Sequence, residues 1–387
     1  MGLFRLLLAM SVLLAHADGV HGYAMLGGDV AVQAFYLVSG FYMALVLNEK
    51  YAAGRAGTLT FYTNRALRIY PTYWLIFVLA VAFYGGMYLS GRGPGVWGPH
   101  IVFFRHLVGP TWWYLIGSQI LLFSIDLTNF LAVAPGGHLY WIANFHPATG
   151  IAGYQILFVP QAWTLGLELI FYAIAPFIVR RRPAVVALVA LLSLALRVVA
   201  YEHGHDYDPW TYRVFPFELS TFLWGSLSYR AFAWLRNQAW SEGIVLWPPA
   251  AALLALTLSY PWLFAFNGGR WWYLGAVAFL LPALFLKTGR IGLDRFLGEL
   301  SYPFYLCHVL VLTMIDATDP QLTAKYRTYA AIAVSIGVSA LVEISVNAPI
   351  DRYRQRRVKL KAADVSSHSS IPGLRAPASA ALSAVRD

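Results

Sequence analysis

Ionisable side chains inside apolar stretches are the residues of this sequence best placed to do chemistry. Six of them lie within candidate membrane spans: His16, Glu168, Arg197, Cys307, His308 and Glu343. Such groups are costly at membrane depth and are usually functional. A histidine whose ring is oriented by a carboxylate can act as a general base, because the carboxylate fixes the tautomer and leaves the other ring nitrogen to take a proton.

His16 and Glu168 are predicted to lie at comparable depth. A rise of about 1.5 Å per residue puts His16 roughly 16 Å above Arg5, toward the outer half of the membrane. The same rise puts Glu168 roughly 10 Å below the outer end of a helix that runs inward over residues 161–180. The two side chains could therefore form a catalytic pair, or a buried hydrogen bond with a structural role only.

Arg65 and Arg68 are a second candidate pair. They lie three residues apart in F-Y-T-N-R-A-L-R-I-Y-P (61–71), so they share one helix face. Two arginines in this arrangement suit phosphate groups through bidentate hydrogen bonds, although contacts with lipid headgroups would use the same residues. No metal-ligand set, Walker loop or G-x-S-x-G elbow is present, so we expect no metal.

The composition indicates what must position these residues. Of the 387 residues, 59% are hydrophobic and only 12% are charged. A soluble domain has too little interior to bury that much apolar surface, so a polytopic membrane protein is predicted. Cys307 is the single cysteine, which excludes a disulfide-stapled scaffold. The net charge of +10 does not indicate nucleic-acid binding, because the positions of the basic residues matter more than their sum.

Eleven stretches are candidate spans, two of them short: 6–20, 30–48, 71–90, 112–133, 161–180, 184–200, 215–233, 245–265, 271–288, 302–316 and 328–347. Segment 112–133 is the most polar, with Asp126 and Asn129 among its residues. If it does not cross, 21 of the 28 lysines and arginines lie inside and six, including Arg213 and Arg270, lie outside. This bias favours an all-α bundle of about ten transmembrane helices with both termini cytoplasmic.

The ends of the chain carry two further predictions. Residues 1–357 are predicted to form the membrane domain, and residues 358–387, rich in Ala and Ser, a disordered cytoplasmic tail. The first apolar run ends in Ala15-His16-Ala17, which also resembles a signal-peptide cleavage site. Cleavage would discard His16, and the inside–outside charge bias favours a retained first span. Abundant aromatic residues fit interfacial belts better than a carbohydrate-stacking platform.

Four sequence blocks, taken in order, resemble the acyltransferase 3 family of integral-membrane acyltransferases, most of which O-acetylate bacterial surface glycans. The first is Arg5 followed by His16 after ten residues. The second is F-Y-L-V-S-G-F (35–41) with the arginine-containing stretch 61–71. The third is W-T-L-G-L-E (163–168) continued by F-Y and P at 171–176. The fourth is L-G-E-L-S-Y-P (297–303) continued to the histidine at 308.

The resemblance implies transfer of an acyl group, expected to be acetyl, from cytoplasmic acyl-CoA to a hydroxyl of a surface or exported glycan. It makes His16 the catalytic base, places Glu168 in the active cavity, and assigns Arg65 and Arg68 to the acyl-CoA side. Further substrate contacts are expected from Tyr302, His308, Trp163 and Ser39, although Ser39-Gly40 fits close helix packing better than a nucleophile. The implied location is the bacterial inner membrane, and the implied partners are acyl-CoA, a glycan acceptor and lipids.

The sequence also departs from the family pattern. Gln33 stands where an Asp is usual, and Asn347 where a Glu before Pro is common, which puts a polar network near the second helix in doubt. Two other classes of protein remain open. A transporter of glycans or lipid-linked sugars would share the spans and buried charges but perform no chemistry. In a membrane receptor or scaffold, His16 and Glu168 would be structural.

Overall fold

The computed structural model describes residues 1–93, 98–318 and 320–357. Its helices are α1 (Gly2–His16), α2 (Gly27–Glu49), α3 (Arg55–Leu89), α4 (Gly109–Leu121), α5 (Trp163–Ile178), α6 (Pro183–Glu202), α7 (Phe215–Leu235), α8 (Trp247–Leu258), α9 (Tyr260–Leu263), α10 (Gly269–Thr288), α11 (Gly292–Asp316) and α12 (Pro320–Val342). A π-helical turn at Glu343–Asn347 follows α12, and short 3-10 turns join several other elements. The predicted tail at 358–387 lies outside the described residues.

The chain is a polytopic helical membrane protein. Within the described residues, seven helical stretches are long and apolar enough to cross a membrane: Gly27–Glu49, Arg55–Leu89, Pro160–Ile178, Pro183–Glu202, Gly269–Thr288, Gly292–Asp316 and Tyr326–Arg357. The three other predicted spans are also helical, as α1, α7 and α8. Each of the ten predicted spans overlaps a helix, but α1, with 15 residues, and α8, with 12, are shorter than a membrane crossing needs.

Segment 112–133 is not a continuous helix, and the all-α prediction is wrong for this region. Helix α4 has 13 residues, about 20 Å of rise, which is too short for a membrane core of about 30 Å. The chain then leaves the helix and enters a three-stranded antiparallel sheet of order β2-β1-β3, formed by β1 (Leu131–Val133), β2 (Leu139–Trp141) and β3 (Ile151–Ala152). Strands of two or three residues are too short for alternating hydrophobicity to reveal them.

Asp126 connects this non-spanning region to α5. Asp126 lies in the 3-10 turn Ile125–Phe130 and faces Gly166 of α5. A Cβ on Gly166 would come within 2.9 Å of Asp126 Oδ1, so the glycine lets this turn approach α5 closely. Oδ1 is buried and has no hydrogen-bond partner among the described residues. Burial raises the pKa of Asp126 to about 6, since a charged carboxylate is poorly solvated there.

Replacing Asp126 by asparagine is expected to stabilise the protein at pH 8 but not at pH 4. A carboxyl with a raised folded-state pKa destabilises the fold progressively as pH rises from about 4 to about 6. Above that window the penalty is complete, at about 3 kcal/mol. Thermal unfolding of wild type and Asp126→Asn in detergent at both pH values measures the effect. An equal difference in Tm at the two pH values would contradict the assignment.

The core is organised around α2, whose closest neighbour is α7. A Cβ on Gly40 would lie 1.8 Å from the carbonyl oxygen of Phe222, and a Cβ on Gly225 would lie 1.8 Å from that of Leu37. Only glycine fits at these two crossings, which confirms the packing role predicted for the Ser39-Gly40 pair. Helix α1 packs against α2 and α11 and adds buried side chains to the core.

Three of the six ionisable or thiol residues within spans take part in polar contacts between or within helices. Arg197 and the Gln33 amide both donate hydrogen bonds of 2.7 Å to Glu218, which links α2, α6 and α7. Asn347 accepts a hydrogen bond from Thr72 and donates one of 2.9 Å to Glu343. Polar networks therefore exist at both departures from the family pattern. The Cys307 thiol is also buried, against backbone carbonyls of α11 and α12.

Candidate functional site

Two cavities lie end to end along α1, α2, α5 and α11. We call the first the arginine cavity; it has an empty volume of about 900 Å³, and its lining includes Arg5, Ser39, Arg65, Arg68, Glu168, Tyr172, Ser301 and Tyr302. We call the second the histidine cavity; it has an empty volume of about 860 Å³, and its lining includes Val12, His16, Asn129, Gln161, Trp163, Tyr212, Arg213 and Val309. Val32 and Tyr305 line both cavities. We call these two residues the junction.

The arginine cavity carries net positive charge. Among its lining residues, three arginines accompany one acid, Glu168. The buried guanidinium of Arg65 lies over the rings of Phe61 and Tyr172, at 5.9 and 6.0 Å from their centroids. Aromatic faces orient a guanidinium and leave its N–H groups directed along its plane. The structure thus brings Arg65 and Arg68 together in one cavity whose lining carries net positive charge.

The histidine cavity contains His16, and His308 supports it from behind. His16 Nδ1 lies 3.0 Å from His308 Nε2, and His308 Nδ1 lies 2.7 Å from the carbonyl oxygen of Tyr305. Since a carbonyl only accepts, a neutral His308 carries its proton on Nδ1 and accepts at Nε2. His16 then donates from Nδ1 in this contact, and its ring also hydrogen-bonds the Val12 carbonyl. This arrangement is compatible with the tautomer that has its lone pair on Nε2 and can accept a proton there.

The predicted pairing of His16 with Glu168 is wrong. The Glu168 carboxylate lies beside Ser39 and Tyr172 in the arginine cavity, where the charges of Arg5 and Arg65 act on it. Comparable depth was a poor guide, because depth along the membrane normal does not say which faces of two helices meet. The ring partner of His16 in this arrangement is His308, one helix away on α11.

The other predicted substrate contacts divide between the cavities. Ser39 and Tyr302 line the arginine cavity, and Trp163 lines the histidine cavity. The hydroxyl of Tyr302 donates to the carbonyl oxygen of Ile69, so this ring is held against α3. His308 is fully buried and lines neither of these two cavities. Its contact with the His16 ring puts it in a position to orient that ring.

Arg213 is the residue of the histidine cavity that the sequence analysis missed. It lies in the loop before α7 and pairs with Asp208 through two hydrogen bonds of 2.7 and 2.9 Å. Burial opposes its charge, but Tyr212 and the Asp208 carboxylate outweigh that effect and raise the pKa of Arg213. The sequence did carry a signal for Arg213. It is one of the few basic residues that the predicted topology places outside, where the positive-inside rule does not account for a basic residue.

Comparisons with known proteins complete the description of this site. The model of the acyltransferase 3 family, described as an acyltransferase domain, matches residues 1–343. The chain is also 25% identical over 373 residues to the Exopolysaccharide production protein ExoZ of Rhizobium meliloti (strain 1021). That alignment covers 89% of this chain and 97% of the relative. No solved structure matches.

Proposed function

Because this chain belongs to the acyltransferase 3 family of membrane O-acyltransferases, we propose that it moves an acyl group between the two cavities. The donor is acyl-CoA, with acetyl-CoA the first candidate, and the acceptor is a hydroxyl of an exported polysaccharide. The proposal rests on the junction, where the two cavities share lining residues. Val32 and Tyr305 alone, among the residues lining these cavities, face both the phosphate-suited arginine cavity and the base-bearing histidine cavity.

The arginine cavity suits the donor because CoA is a polyphosphate joined to its thioester by a long flexible arm. Arg65 and Arg68 bind the phosphates, and the arm extends along α2 toward the junction. Positive-inside topology puts this end of the bundle at the cytoplasm, where CoA is found. It also gives ten crossings, two cytoplasmic termini and a location in the bacterial inner membrane.

The histidine cavity suits the acceptor because it combines aromatic faces with amide and guanidinium groups. Trp163 and Tyr212 offer faces on which sugar rings can stack, and Asn129 and Gln161 offer polar side chains. The name of the relative, which refers to exopolysaccharide production, supports a polysaccharide acceptor. This cavity opens toward the outer side of the membrane in the same topology.

The reaction follows from the tautomer of His16. Its Nε2 takes the proton of the acceptor hydroxyl while the hydroxyl oxygen attacks the thioester carbonyl carbon. Collapse of the tetrahedral intermediate breaks the C–S bond, and the imidazolium returns its proton to the departing CoA thiolate. The products are an ester and CoA with a free thiol, so no net proton is gained or lost. His308 keeps the His16 ring oriented throughout.

Purified protein in lipid vesicles is expected to transfer labelled acetyl from acetyl-CoA to exopolysaccharide fragments, with ester detected by mass spectrometry and NMR. Val32→Trp should abolish transfer by filling the junction, while acetyl-CoA still binds with about wild-type affinity. Val32→Ala is the matched control and should keep transferring. Bound acetyl-CoA shows that the tryptophan variant is folded.

Two outcomes would contradict the proposal. Movement of glycan across the vesicle membrane without any ester would favour the transporter alternative. Undiminished transfer in a folded Val32→Trp variant would show that the acyl group does not pass the junction. Release of free acetate from acetyl-CoA in the absence of acceptor would support the enzymatic assignment, since a transporter or scaffold breaks no thioester.

A further inference from the structure

We propose that Arg213 donates the hydrogen bond that stabilises the oxyanion of the tetrahedral intermediate, an inference that rests on the proposed transfer reaction. Attack on a thioester puts negative charge on the carbonyl oxygen, and preorganised N–H donors lower the energy of that state. The donor must lie in the same cavity as the base, because both act on one carbon centre. Arg213 and His16 line the same cavity.

The donor inventory of Arg213 leaves one N–H for a substrate. A guanidinium has five N–H groups. Nε donates to Asp208 Oδ1 at 2.7 Å, and Nη2 donates to Asp208 Oδ2 at 2.9 Å and to the Tyr212 hydroxyl at 2.6 Å. Nη1 donates to Asn129 Oδ1 at 3.2 Å. Within the part of the chain that the structure describes, the second Nη1–H has no protein acceptor.

Aromatic rings hold the guanidinium in place as well. Its central carbon lies 4.5 Å from the centroid of the Trp163 ring, 4.7 Å from that of Tyr212 and 5.1 Å from that of Phe145. Four hydrogen bonds and these contacts fix the plane of the group before substrate arrives. A fixed donor needs no reorganisation as charge develops, which is why such donors contribute strongly to rate.

Several other hydrogen-bond donors around the cavity already have acceptors. The Tyr305 hydroxyl is bonded to Thr164 and to the carbonyl oxygen of Gln161. The Gln161 amide donates to backbone carbonyls of α11, and the Asn129 amide donates to the backbone carbonyl of Asp126. The Tyr212 hydroxyl donates to Asp208. Arg213 combines an available N–H with proximity to the base, since its charge acts on the His16 ring.

Arg213→Met is expected to lower kcat by about 10²- to 10³-fold and to leave the KM for acetyl-CoA within about threefold of wild type. Guanidinium added to this variant should restore part of the lost rate, because it supplies the missing donor. The matched control is Arg270→Met, since Arg270 forms an ion pair with Asp29 outside the histidine cavity. Its kcat should stay within about threefold of wild type.

A wild-type kcat in Arg213→Met would overturn the inference, and so would a lost rate that guanidinium does not rescue. If the methionine variant does not fold, Arg213→Lys replaces it, because lysine keeps the charge but cannot reproduce the planar fork. An unchanged kcat in a folded Arg213→Lys variant would also overturn the inference. Absence of transfer by the wild-type protein would contradict the proposed function and therefore this inference as well. Transfer by the wild type with an unchanged kcat in Arg213→Met would contradict this inference only.

Discussion

Replacing His16 by alanine is expected to lower acyl transfer by about 10³-fold while the protein still binds acetyl-CoA. A positioned general base contributes about 10²- to 10⁴-fold to such reactions, and the Nε2 lone pair of His16 has that role in the proposed mechanism. His16 lies in the histidine cavity, whereas the donor phosphates are proposed to bind in the arginine cavity. Transfer rate and acetyl-CoA affinity, measured on the same preparation, should therefore separate.

The matched control is His203→Ala. His203 is an exposed histidine just after α6, outside the lining of either cavity, and its ring contacts the Val199 carbonyl at 2.8 Å. Wild-type transfer is expected from this variant. Undiminished transfer by His16→Ala would remove His16 from the mechanism, and loss of both transfer and acetyl-CoA binding would indicate a structural role for the residue.

Replacing Arg65 and Arg68 together by glutamine is expected to weaken use of acetyl-CoA by at least about 10²-fold in kcat/KM. Hydrogen bonds to charged groups contribute about 1.5–3 kcal/mol each, so loss of two phosphate contacts is enough for this effect. A thioester without phosphates, such as the acetyl thioester of N-acetylcysteamine, should be used equally by the wild type and the double variant. The ratio of the two donors' kcat/KM values therefore isolates phosphate recognition.

Arg181→Gln with Arg182→Gln provides the control for total charge, because these two arginines follow α5 and lie outside the lining of the arginine cavity. This pair should leave the donor ratio at its wild-type value. If Arg65→Gln with Arg68→Gln reduced turnover of both donors equally, the arginines would act on the fold or on the acyl group. If neither donor were affected, the phosphates would bind elsewhere.

The amino-acid sequence determines the elements that carry the site. Apolar stretches of about 20 residues can satisfy their backbone hydrogen bonds in lipid only as helices or closed barrels, and each of the ten predicted spans overlaps a helix. Length and composition also separate 112–133 from these spans, because its polar residues oppose insertion. The short strands β1 to β3 escape prediction, since each is shorter than the pattern that identifies a strand.

Single residues of the sequence also indicate which side chains line each of the two cavities. Arg65 and Arg68 share a helix face by their spacing alone, and both line the arginine cavity. His16 is identified by its type and by its place at the end of an apolar helix. The shared face of the two arginines follows from the sequence because spacing dictates the geometry of neighbours along one helix.

Tertiary structure alone decided which side chains of different helices meet. It brings His16 to His308 rather than to Glu168, and it brings Arg213 from a loop into the cavity of the base. Such contacts depend on the rotation of each helix about its axis, which the packing of α1 against α11 and of α2 against α7 sets. Depth follows from a count of residues along one chain segment, but rotation depends on the shapes of many packed side chains, and a linear pattern does not encode it.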